Sequence, residues 1–105
     1  MKIVSQKNTL SGSIQVPGSK SHTIRALLLA CLTEGESKIK NPLPSADCYS
    51  TANAVPLLGA QIDFGNGSSS KETVWSVKGA GKNIHCPVKV DVGNSGSLLY
   101  FLSAI

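Results

Sequence analysis

Residues 17–34, PGSKSHTIRALLLACLTE, join a chain-breaking turn to a helix with one apolar side, and this junction constrains the fold more than any other stretch. Pro17 fixes its own φ and offers no N–H to a ladder, so with Gly18 it ends whatever strand precedes it. Beyond the turn, Ser19 or Ser21 can cap a helix over Ser19 to about Glu34, in which Ile24, Leu27, Leu28, Cys31 and Leu32 recur on one face. Gly35 supplies a C-terminal stop. A helix with such a stripe is stable only against a second layer, so the rest of the chain must provide one.

The flanking patterns supply strands. Residues 2–4 and 12–16 read as short strands, the second alternating Ile14 and Val16 against Ser13 and Gln15. Ser37–Lys40 reads as another. The turn-rich Asn41–Asp47 leads into a second helix over about 46–58, with Pro56 at its fraying end. A strand from Gly59 to Phe64, the exposed loop GNGSSSKE and a strand from Thr73 to Lys78 predict a hairpin, Trp75 and Val77 facing one way and Val74 and Ser76 the other. Gly79–Pro87 is a loop, Val88–Val92 a further strand, and Ser95–Ile105 an apolar helix running to the last residue. The order β, α, β, α, β, β and then a fresh β, α places the chain in the α/β class, of α+β type, as one repeat and the start of another. Sliding the chain against itself by 76 positions sets VPGSKS at 16–21 over VGNSGS at 92–97, each a strand end, a Gly-Ser turn and an apolar helix.

Composition narrows the function. A length of 105 residues suffices for one core, and charged residues at 15% are too sparse for a disordered tail. The net charge of +4 comes from ten basic residues scattered from Lys2 to Lys89, with no cluster that would mark a nucleic-acid or membrane footprint; a modest surplus also suits small anions. Nine of the ten are lysines, and the one arginine, Arg25, stands inside the junction. Cys31, Cys48 and Cys86 lack metal-ligand spacing and read as reduced, structural thiols, so no metal is expected. The N-terminus lacks a signal-peptide apolar stretch, and no run approaches the roughly 20 apolar residues of a membrane span, which gives a cytoplasmic expectation.

The chemistry concentrates at helix starts. Lys20 and Ser21 stand where the first backbone N–H groups of a helix have no internal acceptor and where the helix dipole is positive, a natural dock for phosphate or carboxylate. Arg25, four residues after Ser21 on the same face, can grip a carboxylate with two parallel hydrogen bonds. The alternative is a capped surface helix whose Lys20 and Arg25 are only solvated. The segment is not a Walker A loop, so nucleotide binding is not implied. Gly93-Asn94-Ser95-Gly96-Ser97 is a second small-residue turn, able either to bring N–H groups to another anion or simply to start a helix. His22 reads as solvated or supporting. Asp47 either caps the second helix or faces a ligand, and Tyr100, Trp75 and the cysteines read as packing elements.

These motifs resemble those of the EPSP synthase (3-phosphoshikimate 1-carboxyvinyltransferase) family. PGSKSHTIRALLLACLTEG is similar to its P-G-S-K-S-x-x-x-R-A-L-x-L-A signature, Asn41-Pro-Leu-Pro-Ser-Ala-Asp47 to N-x-L-x-S-x-D, Leu57-Leu58-Gly59-Ala60 to the end of L-x-x-L-G-A, and Gly93–Ser97 to G-N-[AS]-G-[TS]. The resemblance implies transfer of the enolpyruvyl group of phosphoenolpyruvate to the 5-hydroxyl of shikimate 3-phosphate in the shikimate pathway, with no metal or organic cofactor. It implies that Lys20, Ser21 and Arg25 bind shikimate 3-phosphate, that Lys20 and Gly96 meet phosphoenolpyruvate, and that Asp47, Asn94 and Ser97 support them. The implied fold is a partial inside-out α/β barrel of βαβαββ units: strands in 1–16 belonging to another domain, 17–80 a first unit and 81–105 the start of a second.

Two departures temper the resemblance. The family places an arginine three residues after the last position of G-N-[AS]-G-[TS], where this chain has Tyr100, and the family's proton-transfer groups lie beyond position 105, so no catalytic residue is expected within these residues. The expectation is therefore an inactive N-terminal fragment that binds shikimate 3-phosphate weakly and associates with the remainder of the enzyme or with itself. Two alternatives stand beside it. One is a transferase acting on UDP-N-acetylglucosamine, whose family carries Lys-Asn where this chain has Lys20-Ser21; the other is a non-catalytic homologue kept for association.

Overall fold

The computed structural model describes residues 1–65, 73–87 and 89–105. Three helices and a three-stranded sheet follow in the order α1 (Lys20–Leu32), β1 (Glu36–Lys40), α2 (Ala46–Ala54), β2 (Gln61–Asp63), β3 (Val74–Lys78) and α3 (Gly96–Ser103). The sheet is antiparallel with β3 in the centre, flanked by β1 and β2. Register sets Ile39 opposite Trp75, and both Ser37 and Ile62 opposite Val77. Because strand side chains alternate, these residues share one face, while Lys38, Ser76, Asp63 and Lys78 share the other.

That apolar face meets the helices. Ile24, Leu27, Leu28 and Cys31 of α1, Cys48 and Ala52 of α2, Trp75 and Val77 of β3 and Leu98 of α3 form one buried cluster, with Trp75 only 2% exposed. Burial also pushes the Cys31 thiol above its ordinary pKa, because the thiolate would lose its water there. Tyr49 and Phe64 close over Trp75, the Phe64 ring meeting it edge to face at 5.2 Å between centroids.

Several sequence expectations change. Residues 2–4 and 12–16 are not strands: 1–17 are exposed and irregular, since no neighbouring strand pairs with them, and their visible tie is Asn41 Nδ2 donating to the Val16 carbonyl at 3.2 Å. The expected helix over 46–58 is α2 followed by a 3₁₀ turn at Val55–Leu58, because Pro56 cannot donate the bond an α-turn needs. Gly59, at φ 106°, then reverses the chain. The β2–β3 pairing of the expected hairpin is present, and most of its loop, 66–72, lies outside the described residues. Of the strand expected at Val88–Val92, Val88 lies outside the described residues and 89–92 form no ladder. The last helix ends at Ser103 rather than Ile105, with Ala104 and Ile105 donating to carbonyls three residues back.

Gly79 is where the sheet meets α1. Its N–H donates to the Gly35 carbonyl at 3.0 Å, the next residue, Ala80, donates to Cys31 at 2.8 Å, and a Cβ at Gly79 would run into the carbonyl oxygens of Thr33 and Ala30. Backbone stands on both sides of that contact, so neither can yield cheaply. Gly79→Ala is expected to lower stability by about 1–3 kcal/mol, the usual cost of overpacking. Urea unfolding followed by the fluorescence of Trp75, the one tryptophan, checks this.

Candidate functional site

The start of α1 is built by side chains that settle its ends against its own backbone. Ser19 is the cap, its hydroxyl accepting from the His22 N–H at 3.4 Å. Buried Thr23 donates through its hydroxyl to the Ser19 carbonyl at 2.7 Å and accepts from the Leu43 N–H at 3.1 Å. Gly18 fits beneath this turn because a Cβ would strike the Asn41 carbonyl. Capping takes the His22 N–H, so those of Lys20 and Ser21 remain open at the positive end of the dipole.

The start of α2 stands beside it. Ser45, not Asp47, is the α2 cap, accepting from the Cys48 N–H at 3.3 Å. Asp47 lies in the first turn, where an acidic side chain suits the dipole, and its Oδ2 is 3.2 Å from Lys20 Nζ. The Cys48 thiol approaches the Lys20 carbonyl at 3.8 Å. Lys20 remains 50% exposed in this pair and Asp47 23% exposed, so the lysine is steered without being sealed from solvent.

The start of α3 completes the edge. Gly93, at φ 59°, packs so closely that a Cβ would lie 2.8 Å from the Ser50 hydroxyl of α2, and its N–H donates to Asp91 Oδ1 at 2.8 Å. Buried Ser95 caps α3 by accepting from the Leu98 N–H at 3.2 Å, leaving the Gly96 and Ser97 N–H groups without an intrahelical acceptor. The start of α1 thus abuts the first turn of α2, and the glycine turn that precedes α3 abuts its second turn at Ser50. Helices α1 and α3 meet where the Arg25 guanidinium lies 5.5 Å from the Phe101 ring centroid, and each of these residues is six positions beyond its capping serine. The shift of 76 that superposed the two motifs in sequence also superposes Ser19 on Ser95 and Arg25 on Phe101.

The structure therefore brings Lys20 to Asp47 at 3.2 Å and Arg25 to Phe101 of α3, while Lys20, Ser21, Arg25, Asn94 and Gly96 are exposed and Ser97 is half-buried. Lys20 and Arg25 are cationic, and open N–H groups at a helix start suit an anionic group. His22 is exposed, as expected. Two packing assignments do not hold: Tyr100 is 76% exposed because the core side of α3 is taken by Leu98, and Cys86 is exposed while Cys31 and Cys48 are buried. Sequence reasoning missed Thr23, Ser50 and Phe101, whose roles come from partners 20 or more positions away. Among the described residues no group of histidine, cysteine or acidic side chains is arranged to hold a metal, and no helix is long and apolar enough to cross a membrane.

Comparison with known proteins follows the same line. The family model for EPSP synthase (3-phosphoshikimate 1-carboxyvinyltransferase) matches residues 4–105. The chain is 47% identical over 95 residues to the 3-phosphoshikimate 1-carboxyvinyltransferase of Ruminiclostridium cellulolyticum, covering 90% of this chain and 21% of that protein. It is 39% identical over 106 residues to that of Methanococcus aeolicus, covering 100% of this chain and 23% of that one. The solved EPSP synthase from Acinetobacter baumannii superposes with a TM-score of 0.71 at 28% identity, over 88% of this chain and 20% of that structure. The chain thus spans about a fifth of the length of these relatives.

The cap and the cation separate cleanly in stability. Ser19→Ala is expected to cost about 1 kcal/mol, the usual value of an N-cap. Lys20→Ala is expected to cost less than about 1 kcal/mol, since its ion pair is solvent-screened. Chemical denaturation of the two variants against the parent checks the order, and a larger loss from Lys20→Ala would mean that Lys20 holds the fold rather than a ligand.

Proposed function

Because the chain belongs to the EPSP synthase (3-phosphoshikimate 1-carboxyvinyltransferase) family, a family of enzymes, we propose that it supplies the shikimate 3-phosphate grip for transfer of the enolpyruvyl group from phosphoenolpyruvate to the 5-hydroxyl of that substrate. The observation that carries this reading is Lys20, half-exposed and held 3.2 Å from Asp47 beside the open N–H groups of α1, with Arg25 further along the same helix. In it, Lys20, Ser21 and the open N–H groups of α1 receive one anionic group of shikimate 3-phosphate, and Arg25 receives the other as a bidentate partner. Gly96, with no Cβ to obstruct its N–H, faces phosphoenolpyruvate from α3, and Lys20 lies between the two substrates; Asn94 and Ser97 flank that turn.

Holding both anions in register removes orientational freedom before the hydroxyl attacks, and the cationic edge favours charge developing at the enolpyruvyl centre. Asp47 keeps Lys20 extended towards this edge. In this reading residues 17–80, which carry the αβαββ part of a βαβαββ unit, belong to one unit and 81–105 open the next, with proton transfer performed by groups outside these residues. A cytoplasmic setting accords with a small-molecule biosynthetic enzyme.

A second reading is association without catalysis. It draws on the exposed apolar side chains Leu29 and Leu32 of α1 and Leu99 and Tyr100 of α3, together with the tyrosine in the place of the family arginine. Self-association or docking to further units would cover these side chains.

Calorimetric titration of shikimate 3-phosphate into the wild-type chain and Arg25→Ala, at two salt concentrations, distinguishes the readings. The proposal expects saturable binding that weakens with salt, and a loss of tenfold or so in the variant, as for one charge-assisted contact worth about 1.5–3 kcal/mol. Absent binding, or equal binding by the variant, contradicts the grip and favours association.

A further inference from the structure

We propose that Phe101 is a positioning residue for Arg25, holding the guanidinium against α3 so that α3 sets the affinity of the anion grip on α1. The inference rests on the reading of Arg25 as a contact of shikimate 3-phosphate. Arg25 is exposed, and among the described residues no carboxylate pairs with it; its visible partner is the Phe101 ring at 5.5 Å. An arginine without a partner samples many rotamers, and each must be frozen out when an anion binds. The ring reduces that loss in advance.

The ring also leaves the chemistry free. A carboxylate partner would occupy the guanidinium N–H donors, whereas an aromatic face attracts the cation without accepting conventional hydrogen bonds, so the donors remain available to a ligand. Phe101 is itself steady: it is half-buried against the core, and Leu98, one turn earlier on α3, is fully buried. Its distance from the cap of α3 equals that of Arg25 from the cap of α1, so the brace connects equivalent points of two neighbouring units. Any displacement of α3 along its axis, such as a ligand at the Gly93–Ser97 turn would cause, shifts the brace and with it Arg25.

The test is a double-mutant cycle read by calorimetric titration of shikimate 3-phosphate, with folding of each variant verified by Trp75 fluorescence. Phe101→Leu is expected to raise Kd roughly two- to fivefold, the effect of losing an exposed cation–aromatic contact, while Phe101→Trp keeps it. In an Arg25→Ala background Phe101→Leu is expected to change nothing further. An equal loss in both backgrounds overturns the proposal, because Phe101 would then act through packing alone, and so does unaltered affinity in Phe101→Leu. Independently, the Arg25 Nε–H proton resonance is expected to be ring-shifted in the wild type and to relax to its ordinary position in Phe101→Leu; its absence from the shifted position overturns the brace. A ring-shifted Arg25 in a chain that binds no shikimate 3-phosphate overturns the proposed function, and the positioning role with it, while the contact itself stands.

Discussion

The buried hydroxyl of Thr23 is the interaction on which the rest of the site depends. By donating to the Ser19 carbonyl and accepting from the Leu43 N–H, it fastens the first turn of α1 to the segment that leads into α2. Together with the Cys48 thiol at the Lys20 carbonyl, that tie keeps the α1 start beside α2, where Lys20 lies within 3.2 Å of Asp47. A buried hydroxyl that lost its partners would carry a desolvation cost of about 1–3 kcal/mol, which makes the arrangement expensive to abandon. The backbone approach at Gly18 reinforces it, since any side chain there would push the turn away from Asn41.

From that fixed point the geometry propagates by repetition. The α3 start copies the α1 start: a glycine turn, a serine cap accepting from the N–H three residues on, and an apolar helix. Both helices meet α2, α1 through Asp47 and Cys48 and α3 through the Gly93 turn at Ser50, and Arg25 meets Phe101 at matched positions. In the proposed grip the N-terminal fields of both helices act on the bound anions. The sheet contributes by fixing α1 at its other end, through the close contact of Gly79 with the Ala30 and Thr33 carbonyls.

How much of this was legible in the sequence depends on the range of the interaction. Local signals read well: the apolar spacing from Ile24 to Cys31 marks α1, and the alternation around Trp75 marks β3. Strands 2–4 and 12–16 failed because alternation says that a segment can pair, not that a neighbour exists to pair with. Of the two readings of Asp47, the cap gives way to Ser45, because both are competent caps and only the fold decides between them, while the pairing with Lys20 is compatible with the supporting role. Tyr100 was misassigned because α3 is apolar nearly all round, so periodicity could not say which side faces the core. The Phe101 brace has no local signature at all, although the internal match at a shift of 76 held the information that positions 25 and 101 are equivalent.

The central claim is that the starts of α1 and α3 form one anion-binding edge. It is tested most directly by following backbone amide resonances while shikimate 3-phosphate is added. The account predicts that the amides of Lys20, Ser21, Gly96 and Ser97 shift together along one binding curve. Shifts confined to the basic outer face of the sheet, around Lys38 and Lys78, or separate curves for the two turns, would contradict it.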